Sequence, residues 1–163
     1  MSKKKQIDHP IFGSLENEVA NLWKGNLKLI FLGEVSQVEL LVDIKRDGSI
    51  EPNQIQAFRT FQSDKDKLLQ EAEIAIFEYY QSICEELRDQ FGTTDPNDKE
   101  VPLISNPSQL KNLVTFTGVT FPDAFSKPTI GFLLECSWEI EHGLGIKIEN
   151  GEITEVGFQD IVL

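Results

Sequence analysis

Apolar and polar positions repeat with two different periods along the chain, and the switches between them divide it into three parts. The first part is extended. "HPIFGSLE" and "NLWKGNLKLIFLG" read as short strands. In the second, Leu27, Leu29 and Phe31 stand against Ile30 and Leu32, so it is apolar on both sides. That predicts a strand covered on both faces, although a short buried helical segment carries the same pattern. In "VELLVDIK", Val38, Leu40, Val42 and Ile44 share one face while Glu39, Asp43 and Lys45 share the other. This alternation predicts a half-buried strand, with "GEVS" before it as the hairpin turn.

After the turn residues "RDGS" the period changes from two to about 3.6. Pro52 fits the first turn of a helix, and Ile55, Phe58 and Phe61 follow at helical spacing. A second, longer helix is expected from Ser63 to Phe91, with Ser63 and Asp66 spaced as a capping box. Its apolar stripe runs through Leu69, Ala72, Ile76, Tyr79 or Tyr80, Ile83, Leu87 and Phe91. Gly92 supplies the C-terminal stop.

"GTTDPNDKEVP" reads as an exposed loop, and "NPSQLKNLV" as a short helix capped by Asn106 with Pro107 first. The remainder is extended again: "LVTFTGVTF", "TIGFLLECSWEI", "LGIKIEN" and "EITEVGFQDIVL". Asn150-Gly151 is a strong hairpin signal. Strands, then helices, then strands predict an α+β fold: an antiparallel sheet with a long amphipathic helix and a shorter one packed on one face.

A chain of 163 residues, 40% hydrophobic and 26% charged, is expected to form one domain over 1–163, with 1–6 as a mobile tail. Neither its two cysteines nor any CxxC spacing implies a disulfide or metal framework, and reduced thiols suit a cytoplasmic protein. "MSKKKQIDHP" lacks the apolar region of a secretory signal, and the apolar runs are too short to span a membrane. A net charge of −12 repels phosphate backbones and favours basic partners. With only Lys3, Lys4 and Lys5 clustered, nucleic-acid binding is not expected.

Candidate chemistry concentrates in "CSWEIEHGLGIKI". Alternation from Ile130 puts Phe132, Leu134, Cys136, Trp138 and Ile140 on the core face, which makes Cys136 a buried structural thiol rather than a nucleophile for His142. Glu135, Glu139 and Glu141 fit a solvated strand face better than an acid–base pair. Glu139, Glu141 and His142 include suitable ligand types, but neighbouring turn residues rarely converge on a metal, so neither a metal nor another cofactor is expected. Gly143 and Gly145 fit turn geometry and lie outside any phosphate-binding pattern. Asp160 falls in register with Val156, Phe158 and Val162. On that face it must be hydrogen-bonded or paired, for instance to His142, unless a bulge at Gly157 turns it outward. Glu139, Glu141, His142 and Asp160 therefore form the candidate cluster, with a structural role favoured over catalysis.

"GFLLECSWEIEHGLGIKI" followed by "EVGFQDIVL" resembles the C-terminal signature of an uncharacterised bacterial domain-of-unknown-function family. The matching positions are Glu141, His142, Gly143, Leu144, Gly145, Val156, Gly157, Gln159 and Asp160. Phe12-Gly13, the "WxG" of Trp23–Gly25, "IFEYYQ" and Val101-Pro102 extend the resemblance over most of the chain. It implies a small cytoplasmic bacterial protein without an assigned reaction, similar in class to immunity proteins that neutralise toxins. No catalytic residue comes with it.

Two function classes follow. One is a non-catalytic protein-binding module, such as an immunity protein, whose acidic surface docks on a basic partner such as a toxin. The other is a small enzyme or ligand-binding domain using Glu139, Glu141, His142 and Asp160. A structural protein that self-associates as a homo-oligomer is a blander third class.

Overall fold

The computed structural model describes residues 4–163. Two four-stranded meanders are joined by one helix. The first comprises β1 (Gln6–His9), β2 (Gly13–Val19), β3 (Leu22–Phe31) and β4 (Glu34–Asp43). Helix α1 (Pro52–Phe91) and a 3-10 turn (Pro107–Asn112) lead to the second, formed by β5 (Val114–Phe121), β6 (Thr129–Cys136), β7 (Leu144–Glu149) and β8 (Glu152–Gly157). All eight strands form one sheet in chain order. Neighbours are antiparallel except β4 and β5, which run parallel. The exception follows from the connection: a parallel neighbour needs a long crossover, and α1 with its flanking loops supplies it.

The expected α+β class is therefore present, with one parallel junction in an otherwise antiparallel sheet. Of the stretch 1–6 expected to be a mobile tail, 1–3 lie outside the described residues. The Lys5 carbonyl accepts the Asn17 N–H, and Gln6 opens β1.

Two expectations for the first meander are corrected. Strand β3 is apolar on one face only: Leu29 and Phe31 are buried, whereas Ile30 is 56% exposed. Leu32 is buried because it sits in the turn, not because the strand has a second covered face. That turn is Leu32-Gly33, one step earlier than "GEVS", and both residues have positive φ. Glu73 of α1 accepts the Leu32 N–H, which helps to hold a leucine in a conformation it disfavours.

The two helices expected over 52–91 run on as α1, 40 residues long, with their expected boundary present as a kink. Asp64 leaves helical geometry (φ −116°, ψ 15°), and the Ser63 hydroxyl donates back to the Thr60 carbonyl rather than capping a new helix. Such back-bonding bends a helix without ending it. Gly92 terminates α1 in the left-handed conformation, as its position predicts.

Gln54 fastens the start of α1 to the parallel junction. Its buried amide donates to the Asp43 carbonyl at 2.8 Å and to the Phe121 carbonyl at 2.9 Å, at the ends of β4 and β5. Its oxygen accepts the Glu51 N–H. Phe58 and Phe61 then pack onto Phe121, with ring centroids 5.2 and 5.9 Å away. Further along, Tyr80 and Arg88 hold the loop that follows the helix. The Tyr80 hydroxyl donates to the Pro102 carbonyl, and the Arg88 guanidinium to the Asp95 and Val101 carbonyls. Val101 is fully buried, so only part of this expected loop is exposed.

The other sheet face is covered at its centre by the chain end. A 3-10 turn, Gln159–Val162, sets Val162 over Leu41 and Leu133. Gly131 makes this approach feasible, because a Cβ there would lie 2.6 Å from that of Val162.

Candidate functional site

Strand β6 stops at Cys136, and the stretch 137–143 turns across the end of the sheet. The Ser137 N–H donates to the Leu113 carbonyl and its hydroxyl to the Glu100 carbonyl, which draws the chain out of the strand. Cys136 and Trp138 are buried as expected, with the indole 4.9 Å from the Tyr80 ring. Ile140 departs from expectation. At 86% exposure it lies outside the core, because the alternation that placed it there ended with the strand.

The turn brings Glu139 and His142 together. The His142 Nδ1 lies 3.1 Å from a Glu139 carboxylate oxygen, and its imidazole stacks on Phe158 with centroids 4.9 Å apart and planes 17° from parallel. The hydrogen bond from His142 holds the Glu139 carboxyl below its usual pKa. Among the described residues, the side chains of Glu141 and Asp160 make no hydrogen bond or ion pair with these two, so the turn unites only half of the sequence-derived cluster.

Asp160 does not lock the last hairpin. Strand β8 ends at Gly157, and the following 3-10 turn breaks the alternation that aligned Asp160 with Val162. Gln159 performs that service. Its backbone N–H donates to the His142 carbonyl at 3.1 Å, and its side-chain amide donates to the Leu134 carbonyl at 2.8 Å. Gly143 and Gly145 leave room for this segment. A Cβ on Gly145 would lie 2.6 Å from the Phe158 carbonyl oxygen, so the "EHGLG" and "GFQD" stretches are two halves of one clasp.

Beside the clasp, a groove of about 200 Å³ opens between α1 and the 138–158 region. Tyr79, Ile83 and Leu87 line it from the helix, and Trp138 and Phe158 from the other wall. Glu86 and Glu139 are its acidic members. The core-facing row of α1 is Ile76, Tyr80 and Cys84; Tyr79, Ile83 and Leu87 form a half-buried flank. The helical spacing places Ile83 and Leu87 of that flank in the core stripe and leaves Tyr79 or Tyr80 open, and Tyr80 is the buried one. The signal of the flank was an apolar arc wider than one buried face requires. Phe158, 42% exposed, was likewise assigned inward.

The turn supplies a carboxylate-oriented imidazole. Burial pushes the Cys136 thiol up to about 11, and it donates to the Glu139 carbonyl at 3.6 Å, so it stays protonated near neutrality. Among the described residues, no group of three or more His, Cys, Asp or Glu side chains gathers as a metal site. None of the described helices is long and apolar enough to cross a membrane.

No curated protein and no solved structure matches the chain. A family model does match, over residues 11–163, a span holding α1, the clasp and the groove beside it, and the chain accordingly belongs to the family described as domain of unknown function (DUF6985).

Proposed function

We propose that the protein is a non-catalytic binding module whose partner is a basic protein, engaged through the groove between α1 and the clasp. The observation that carries this reading is the composition of that groove: partly exposed aromatic and aliphatic side chains beside Glu86 and Glu139. Apolar anchors flanked by charge suit protein recognition. The overall charge of −12 would steer a basic partner toward the surface and make association sensitive to salt. Neutralisation of a basic toxin in the bacterial cytoplasm is the specific form of the proposal.

The test is capture from the native cell with the full chain, followed by identification of the partner and repetition with Leu87→Asp and with Glu86→Lys/Glu139→Lys. A basic protein should be recovered, its binding should weaken with salt, and both variants should release it. An acidic partner, or capture unaffected by either variant, would end the proposal. For the toxin form, co-expression should restore growth to cells making the captured protein.

A further inference from the structure

We infer that the free edge of β8 is a strand-addition site, which accepts an extended lysine- or arginine-rich segment of a partner protein. The inference rests on the protein-binding reading and specifies its mode.

Strand β8 is the last in the sheet and pairs only with β7 among the described strands. Such an edge presents backbone donors and acceptors that another chain can satisfy. Helix α1 runs alongside, and a trough of about 410 Å³ lies between them, lined in part by Glu71, Ile74 and Glu78 from α1 and by Glu152 and Ile153 from β8. Ile74 is 53% exposed there, an apolar contact awaiting a side chain. Lys67, the basic residue of the trough, lies 3.9 Å from Glu71 and leaves the carboxylates in excess. Phe158 follows β8 directly, so an added strand would run toward the groove beside the clasp.

Charge decides which strand fits. Antiparallel pairing with β8 of a second copy would set Glu152 against the other copy's Glu155, and like charges across a strand pair are destabilising. The irregular register between β7 and β8 twists this edge, and any added strand must follow that twist. A segment alternating basic and β-branched residues meets no such like-charge repulsion. Its backbone extends the sheet, one set of side chains reaches Ile74 and Ile153, and its cations fall on the opposite face beside Glu152 and Glu155.

The probe is a synthetic peptide of alternating lysine and valine, long enough to span β8, added to the isotope-labelled full chain at low salt. Amide exchange at residues 152–157 should slow by about tenfold or more, and the protection should fade as salt is raised. N-methylation of alternate peptide amides keeps side chains and charge but removes one set of backbone donors; made in both phases, the form methylated on the set facing β8 should bind about tenfold or more weakly than the other. A glutamate–valine peptide should give no protection. Absence of protection with the lysine–valine peptide, or equal binding of both N-methylated forms, overturns strand addition. A basic partner captured by the full chain in that event would leave the broader reading standing, so the two failures are separable.

Discussion

The side-chain amide of Gln159 occupies the space that a side chain on Gly143 would fill. A Cβ on Gly143 would lie 2.5 Å from the Gln159 Nε2 and 2.8 Å from the Leu134 carbonyl oxygen, the acceptor that Gln159 uses. Gly143 also has φ +63°, where a non-glycine residue costs about 1–2 kcal/mol. Gly143→Ala should therefore destabilise the protein by more than about 2 kcal/mol, lowering Tm by roughly 5–10 °C in a thermal melt. Gln159→Ala should cost about 1–2 kcal/mol through the lost hydrogen bond. Asp160→Asn, at an exposed position, should stay within about 0.5 kcal/mol of the parent. A larger effect at Asp160 than at Gln159 would contradict this account of the clasp.

Gln54 makes the corresponding connection at the opposite end of the fold. Gln54→Leu keeps much of the volume but leaves the Asp43 and Phe121 carbonyls without their amide donor, and should cost about 2–4 kcal/mol. Urea unfolding should show a lower midpoint with an unchanged slope. Loss of helical signal before loss of tertiary signal would show instead that Gln54 serves only the start of α1.

His9 gives the N-terminal hairpin a pH dependence. Its Nδ1 accepts the N–H groups of Ile11 and Phe12 at 3.1 and 3.3 Å, so the ring must be unprotonated at that nitrogen. Burial lowers its pKa from the ordinary 6.5. The unfolded chain therefore takes up the proton first as pH falls. The contribution of His9 is fully present above about 6.5 and is lost as pH drops through the lower, folded value. Urea midpoints measured across this range should fall in the parent and flatten in His9→Gln.

The cysteines should be silent in the native protein. Cys84 and Cys136 are free and buried, and the Cys136 thiol is pushed up to about 11 by burial. A thiol reagent at neutral pH should label neither until urea unfolds the chain. Rapid native labelling of Cys136 would reopen a nucleophilic role beside His142.

Local features were legible wherever a few neighbouring residues decide the outcome. Asn150 and Gly151 both adopt positive φ in the tight turn their identities predict, and Asn106, Pro107 and Gln109 build the expected start of a short helical turn. Gln54 was missed although Glu51 and Gln54 carry capping-box spacing around Pro52. Their order departs from the Ser/Thr-first form of that box. Within the candidate cluster, Glu139 and His142 were placed near each other because they share one turn. Phe158, which stacks on His142, comes from a different strand end and carried no local sign of that contact.

The sequence by itself determined the α+β class, the helical content of 52–91, the last hairpin and the burial of Cys136 and Trp138. Dihedral preferences and side-chain periodicity act over a few residues and so can be read from them. Tertiary structure alone decided the parallel β4–β5 junction, the half-exposed flank of α1, and the exchange of roles between Gln159 and Asp160. Each depends on where a strand ends or on which distant segment covers a face. A periodic pattern keeps its phase only while the element continues: beyond Cys136 and Gly157 the chain turns, and the packing it then meets assigns the side chains.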